Sequence, residues 1–460
     1  MNDFEKRITL SSYVTDTIRK LSGQQPPTVR EINSGREWGV YTQNQLLNVL
    51  GQTVKRDNTN KLVVFLSLLL TYTESDQLNI SFNAPSSSGK SYMALEIAGL
   101  FPEEDVIDLA YASPTSFFHS HSKYDEKLKG YVVNLERKML VFMDMPHQQL
   151  LERLRPAFSQ DKKVIHLKIT DKQKSSLKTK EIFIIGYASV VFCSASFKFD
   201  EQELTRFMLL SPETSQEKIG SAISEVIRKE TDPLAYIREL NENPERLELK
   251  ERIRAVRDAH IKIIRLHDPG KLEHAFNSRH EFRKPRHTRD IKRVARLAKA
   301  FALLNLWNRN YVKKDSSIET TDEDYRNAFA LWDDISEAQD LGLPPHVLML
   351  FREIILAAFK ENGGIGLTRQ DIVNKHYQVY GRHVEDFRLR KEYLPMLVSS
   401  GLISEEQDKD DRRILRIYPL VVSTISDYAR NSDMERSFNA AENSSKANIL
   451  SVVTLGKGVK

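Results

Sequence analysis

Eight residues, Ala84-Pro85-Ser86-Ser87-Ser88-Gly89-Lys90-Ser91, carry the plainest chemistry in this sequence. They fill all but the first position of the pattern G-x-x-x-x-G-K-[ST], a loop whose backbone cradles phosphates at the start of a helix. The stretch Pro85, Ser86, Ser87, Ser88, Gly89 is the expected cradle. Lys90 is expected to reach the β- and γ-phosphates of ATP, and the Ser91 hydroxyl to ligate Mg2+. The leading glycine supplies turn geometry rather than a contact, so Ala84 is a mild departure. The bland alternative is a serine-rich turn with an accidental Gly-Lys-Ser, but an apolar strand precedes it and a helical pattern follows.

A second acidic position lies in RKMLVFMDMP (137–146), an apolar strand ending in Asp144. An aspartate there would complete the Mg2+ shell; the alternative is a buried strand that ends in a surface carboxylate. The following residue, usually a glutamate that polarises the attacking water, is Met145. This questions hydrolysis more than binding. Glu152 downstream and Asp125 and Glu126 upstream are the nearest substitutes, and the sequence does not choose among them.

These residues need a scaffold. Short apolar runs at 78–83, 106–110, 139–143 and 189–193 alternate with helical patterns, the mark of an α/β fold with a parallel sheet and crossovers. Residues 1–60 are polar and weakly helical, 217–341 are expected to be helical throughout, and Pro344-Pro345 opens a compact segment ending near Pro419. The last 35 or so residues, rich in Ser, Asn and Ala, are expected to be mobile. The chain of 460 residues is 40% apolar and 28% charged, which suits two to four domains with real cores. Its one cysteine, Cys193, excludes an internal disulfide and a multi-cysteine zinc site, and fits a cytoplasmic location. No signal peptide is apparent at the N-terminus, and the longest apolar run, 62–70, falls far short of the roughly 20 residues of a membrane span.

Net charge is only +5, so a nucleic-acid partner must show as local clusters. One lies at 160–180, with seven lysines (162, 163, 168, 172, 174, 178 and 180) against two aspartates. Alternating β runs flank its polar tip, which predicts a hairpin carrying Lys172, Lys174, Lys178 and Lys180. A solvated face is the plain alternative. The segment 345–420 predicts helix, Gly turn, helix capped by Thr368, then a third helix starting with Arg388, Arg390 and Lys391, which Pro395 must kink or shorten. A two-stranded wing with Arg412 and Arg413 at its tip follows. This order is similar to winged-helix domains, many of which contact DNA through the third helix; the acidic EEQDKDD cautions against assuming it.

The order of parts resembles the AAA+ ATPases, and among them the minichromosome maintenance (MCM) type of replicative helicase. That family inserts a hairpin just before a strand ending in a polar "sensor 1" residue, here Ser194 or Ser196 in SVVFCSAS (189–196). ELTRFMLLSP (203–212) resembles the family's arginine-finger box, which maps the finger onto Arg206. HTRDIKRVARLAKAFALLNL (287–306) resembles its sensor 2 helix, with Arg289 as the trans-acting arginine, and SIETTDEDYRNAFALW (317–332) its last lid helix. The resemblance covers roughly residues 60–340, strong in order and modest in identity, and mobile-element helicases with an MCM-like core look closest. It implies an AAA+ core at 61–215 with an inserted β-hairpin, an α-helical lid at 216–342 and a winged helix at 343–422, between an N-terminal region (1–60) and a tail (423–460). It further implies ATP with Mg2+, DNA as partner, and a homo-oligomer, as a hexameric ring, that unwinds or translocates DNA in replication of a mobile or viral element. Met145 favours a second possibility, a non-hydrolysing nucleotide switch that binds DNA as an initiator or transcription regulator. SFFHSH (116–121) keeps open a third, a protein remodeller with an aromatic pore loop. Arg289 and Arg296 as plain solvated residues, and Arg206 as a surface charge, are the simple alternatives.

Overall fold

The computed structural model describes residues 37–110, 113, 116–171, 178–195, 206–280, 282–408 and 411–420. Lys172, Lys174, Ser196 and the start of the arginine-finger box lie outside the described residues.

Helix α1 (Gln43–Gly51) opens with a capping box between Thr42 and Gln45. Helix α2 (Asn58–Leu69) is buried at every position from Lys61 to Leu69. Such an all-round apolar helix is stable only inside a core. The expected boundary between 60 and 61 falls within it. The core continues in chain order with β1 (Asn79–Asn83), α3 (Lys90–Ala98), β2 (Val106–Leu109), β3 (Lys123–Asp125), β4 (Gly130–Asn134), β5 (Met139–Phe142), α4 (Gln148–Phe158), β6 (Val164–Asp171), β7 (Lys178–Ile185), β8 (Ser189–Ser194) and β9 (Met208–Leu210).

Five of these strands form a parallel sheet in the order β2-β5-β8-β1-β9. Four of its strands match the expected apolar runs to within a residue or two at their ends, and β9 joins them as the fifth. Alternation along each strand divides the side chains between two cores. Ile80, Phe82, Val141, Val191 and Cys193 face α2, α3 and the following helices, whereas Leu140, Phe142, Val190 and Phe192 face α4 and the second sheet. Burial on both faces is why these strands read as continuous apolar runs.

The expected lysine-rich hairpin is present as β6 and β7, paired antiparallel from Val164↔Ile185 to Asp171↔Lys178. It is not a free arm. β7 also pairs in parallel with β4, and β4 pairs antiparallel with β3, giving a four-stranded sheet β3-β4-β7-β6.

The region 216–341 contains helices α5 (Gln216–Thr231), α6 (Pro233–Glu242), α7 (Pro244–Asp258), α8 (Pro269–Asn277), α9 (His287–Leu304) and α10 (Asp322–Leu341). It is not helical throughout, as the sequence led one to expect. Strands β10 (Ile263–Arg265), β11 (Tyr311–Val312) and β12 (Ser317–Glu319) make a small sheet, too short for periodicity to reveal. Thr321 and Asp324 close the capping box of α10.

The C-terminal unit has its own core. It consists of α11 (Pro345–Glu361), α12 (Arg369–Tyr380), α13 (386–399) and the antiparallel pair β13 (Ile403–Gln407) and β14 (Leu415–Pro419). Thr368 caps α12, as expected. Pro395 does not break α13: the turn before it, Leu389–Tyr393, widens to a π-helix, which relieves the clash with the carbonyl four residues back. Among the described residues no single helix is long and apolar enough to cross a membrane.

Candidate nucleotide-binding site

The phosphate-loop residues meet at the C-terminal end of β1. Positive φ falls on Ser87 (62°) and Gly89 (88°), not on Ala84, so a glycine is not needed at the head of this loop. Ala84 is instead buried, and its amide donates to the Ser194 carbonyl at 3.3 Å. No side chain caps the N-terminus of α3, so its first amides stay available for an anion.

Lys90 is only 8% exposed. Its ammonium donates to the carbonyls of Ala84 (2.7 Å) and Pro85 (2.8 Å), folding back over the loop. Burial pushes its pKa down, Arg388 adds to that, and Cys193 and Asp144 oppose it. Ser91 Oγ donates to the Met143 carbonyl at 3.2 Å, tying the Mg2+-ligand candidate to the strand end that carries Asp144. The donor set, one hydroxyl and one carboxylate beside a lysine and free amides, fits a Mg2+-bound triphosphate.

β8 lies between β1 and β5. Its last residue, Ser194, pairs with Asn83, and the register Phe142↔Phe192 carries Asp144 alongside it. The fold therefore brings Lys90, Ser91, Asp144 and Ser194 to one edge of the sheet. Met145 packs against the apolar core, and its amide donates to Asp144 Oδ1 at 2.7 Å. Asp125 accepts from the amides of Lys127 and Leu128, both at 2.9 Å, and Glu152 accepts from Gln148 at 3.2 Å.

Arg206 sits at the opposite edge. Register Ile80↔Met208 places it level with Leu78, about six residues and hence roughly 20 Å along the strand from the phosphate loop. Its Nε donates to Ser159 Oγ at 2.6 Å. Arg289 is exposed on the first turn of α9. One turn later, buried Arg293 bonds Asp290 (2.9 Å) and the Phe207 carbonyl (2.8 Å), which couples the Arg289 turn to the Arg206 segment. Arg296 is no solvated residue: it clamps the carbonyls of Gln77 (2.9 Å) and Ser75 (2.8 Å), and burial pushes its pKa down to about 10.

On the hairpin, Lys163 pairs with Glu136 at 3.3 Å and Lys168 with Glu181 at 3.1 Å, so part of the expected positive charge is neutralised along the shank. Lys180 lies over the Tyr131 ring at 5.1 Å. Sequence reasoning missed the neighbouring hairpin β3–β4, whose tip carries Lys127 and Lys129; the Lys129-Gly130 turn was its one signal.

In the C-terminal unit, Arg390 and Lys391 are exposed on α13, and Arg412 is exposed beyond β13. Arg413 is held bidentate by Asp411, both contacts at 3.0 Å. Arg388 differs from these. It is half-buried and donates to the Ala195 carbonyl at 3.0 Å, beside the phosphate loop rather than on an open face. His346 joins it, bonding Ser211 Oγ at 3.1 Å, and Ser211 Oγ in turn donates to the Asn83 carbonyl. No local motif marked His346.

Burial, with Lys90 and Arg388 nearby, pushes the His346 pKa down to about 4. The unfolded chain protonates this histidine near 6.5. Between those values the unfolded state binds more protons, so the contribution is complete above about pH 6.5 and is lost as pH falls towards 4. Thermal melts at pH 7.5 and 5 should show this loss, and His346→Gln should reduce it.

His280, His287 and Asp340 also converge, with ligand atoms within 4.8 Å of one another. The His287 Nδ1 accepts from the Lys284 amide at 3.2 Å, which places the ring proton on Nε2, facing Asp340. That tautomer suits a hydrogen-bond donor better than a metal ligand.

No protein-family model matches this chain, and no curated protein matches it. Among solved structures it is similar to a full-length MCM homolog from Methanopyrus kandleri, with 16% identity, a TM-score of 0.40, and 64% of this chain aligned with 59% of that one. The chain thus spans less than two thirds of that protein's length.

Proposed function

We propose that this chain is an ATP-dependent, ring-forming DNA helicase or translocase of the AAA+ class, MCM-like in plan, acting in replication of a mobile or viral element. The observation that carries the reading is the placement of β8 between the phosphate-loop strand and the Asp144 strand, with Arg206 at the far end of the same sheet. Lys90, Ser91 and Asp144 hold ATP and Mg2+ in one subunit, the metal neutralising charge on the β- and γ-phosphates. Ser194 orients the terminal phosphate. Arg206, too far from its own loop, serves the site of a neighbour, and Arg289 joins it there. An apolar stripe on α5 supports association: Ile219, Ile223, Val226 and Ile227 recur at helical spacing and are 39–60% exposed on the single chain. The helices of 216–341 act as the lid and the C-terminal unit as a winged helix, with Arg390, Lys391, Arg412 and Arg413 as further DNA contacts. The packing of Met145 into the core favours one rival, a nucleotide switch that binds DNA without turnover.

The test joins DNA binding to turnover. Converting Lys172, Lys174 and Lys178 to alanine should leave DNA-independent ATPase intact while weakening DNA binding. Each lost phosphate contact flattens the slope of log K against log salt by about 0.7 on a single strand or about 0.9 on a duplex, so three give roughly 2 to 3. An unchanged slope with normal unwinding would remove the hairpin from the mechanism. Absence of any ATPase, with or without DNA, in the wild-type protein would leave the switch.

A further inference from the structure

We infer that the C-terminal unit closes the nucleotide site of its own chain, with Arg388 as a ligand of the terminal phosphate and the cleft beside it as the base pocket. This rests on the assignment of the phosphate loop above. A cleft of about 290 Å³ opens between that loop and the C-terminal helices. Pro85 and Ser86 line one side, and Met349, Leu350, Tyr380 and Tyr393 line the other together with polar groups that include His376, Arg382 and Glu385. Apolar and aromatic side chains with a few polar groups beside a phosphate cradle suit a nucleobase, and the volume is at the small end of ligand pockets.

Charge points the same way. Arg388 donates to the carbonyl of Ala195, directly after Ser194, whose own carbonyl receives the Ala84 amide. The guanidinium therefore stands one residue beyond the strand end that anchors the phosphate loop, and it shares its surroundings with buried Lys90. Two neighbouring cations, one buried and one half-buried, oppose each other unless an anion lies between them. The nearest acids do little to offset this: Glu385 pairs with Arg388 at 3.0 Å but is 62% exposed, and Asp144 is exposed. A polyphosphate supplies the missing charge, and the guanidinium fork suits it. The joint is rigid as well: His346, at the start of α11, is fixed through Ser211 to the last residue of β1. The C-terminal unit is thus already seated over the site, and a bound nucleotide would strengthen that seating through Arg388.

The experiment is calorimetric titration of the full chain with ATP, ADP and inorganic tripolyphosphate. Arg388→Ala should weaken ATP at least about tenfold, the scale of one charged hydrogen bond to phosphate, and ADP far less. Arg388→Lys should recover part of the loss, which a purely structural role would not allow. Met349→Trp, which fills the cleft, should weaken ATP and ADP alike while tripolyphosphate binds as to the wild type. ATP affinity unchanged in Arg388→Ala, with Lys90→Ala still unable to bind, overturns this inference and leaves the phosphate loop assigned. ATP affinity unchanged in Lys90→Ala instead overturns the nucleotide site itself.

Discussion

Lys90→Ala should lower ATP affinity by roughly two to four orders of magnitude, the sum of two charged hydrogen bonds to phosphate at about 1.5–3 kcal/mol each. The side chain is well placed for such an effect. Its ammonium already sits at the mouth of the loop, bonded to the carbonyls of Ala84 and Pro85. A triphosphate offers stronger, anionic acceptors than those carbonyls, so the lysine has little distance to travel and little desolvation left to meet. The fold should survive the change, because α3 keeps the packing of Met93, Ala94, Ile97 and Ala98. Lys90→Met, which keeps the apolar stem and removes only the charge, should give the same loss. Circular dichroism checks the fold and titration with ATP checks the affinity; wild-type affinity and turnover in both variants would refute the assignment of the phosphate loop.

Arg206→Ala should leave ATP binding near normal and cut hydrolysis about a thousandfold, the lower scale of a lost arginine finger. The sheet register dictates why the effect must cross a subunit boundary. Arg206 lies level with Leu78, roughly 20 Å from its own phosphate loop along the direction of β1, well beyond the reach of an arginine side chain. Within its own chain its Nε donates to the Ser159 hydroxyl, a neutral acceptor weaker than a phosphate. Mixing Arg206→Ala with Lys90→Ala subunits should restore part of the activity, since each would supply what the other lacks at a shared interface. Steady-state ATPase of the separate and mixed variants measures both effects. Normal hydrolysis by Arg206→Ala alone removes it from the finger role.

Much of the core was legible in the sequence because its signals are local. The phosphate loop is one uninterrupted octapeptide between a strand and a helix, and the sheet strands are buried on both faces, so they appear as apolar runs. The caps at Thr321 and Thr368 need only a residue three positions away. The β6–β7 hairpin declared itself through alternation, a property of the strand itself. Where the signal was short, it failed. β3 and β4 have three and five residues, and what holds them is pairing to β7, some fifty residues later. Met145 could be read as a missing glutamate, but not as a residue turned into the core.

The sequence by itself thus determined the α/β class, four strands of the parallel sheet, the candidate phosphate loop and the basic hairpin, signals that lie within single stretches of chain. Only the tertiary structure decided which of these meet. It set Ser194 between the phosphate loop and Asp144, and put Arg206 at the opposite edge. It also moved Arg388 from an expected outer face to the Ala195 carbonyl, across 193 residues of chain. Such contacts are fixed by strand order and by the docking of one core against another. Many side chains share that free energy, so no single stretch of sequence records it.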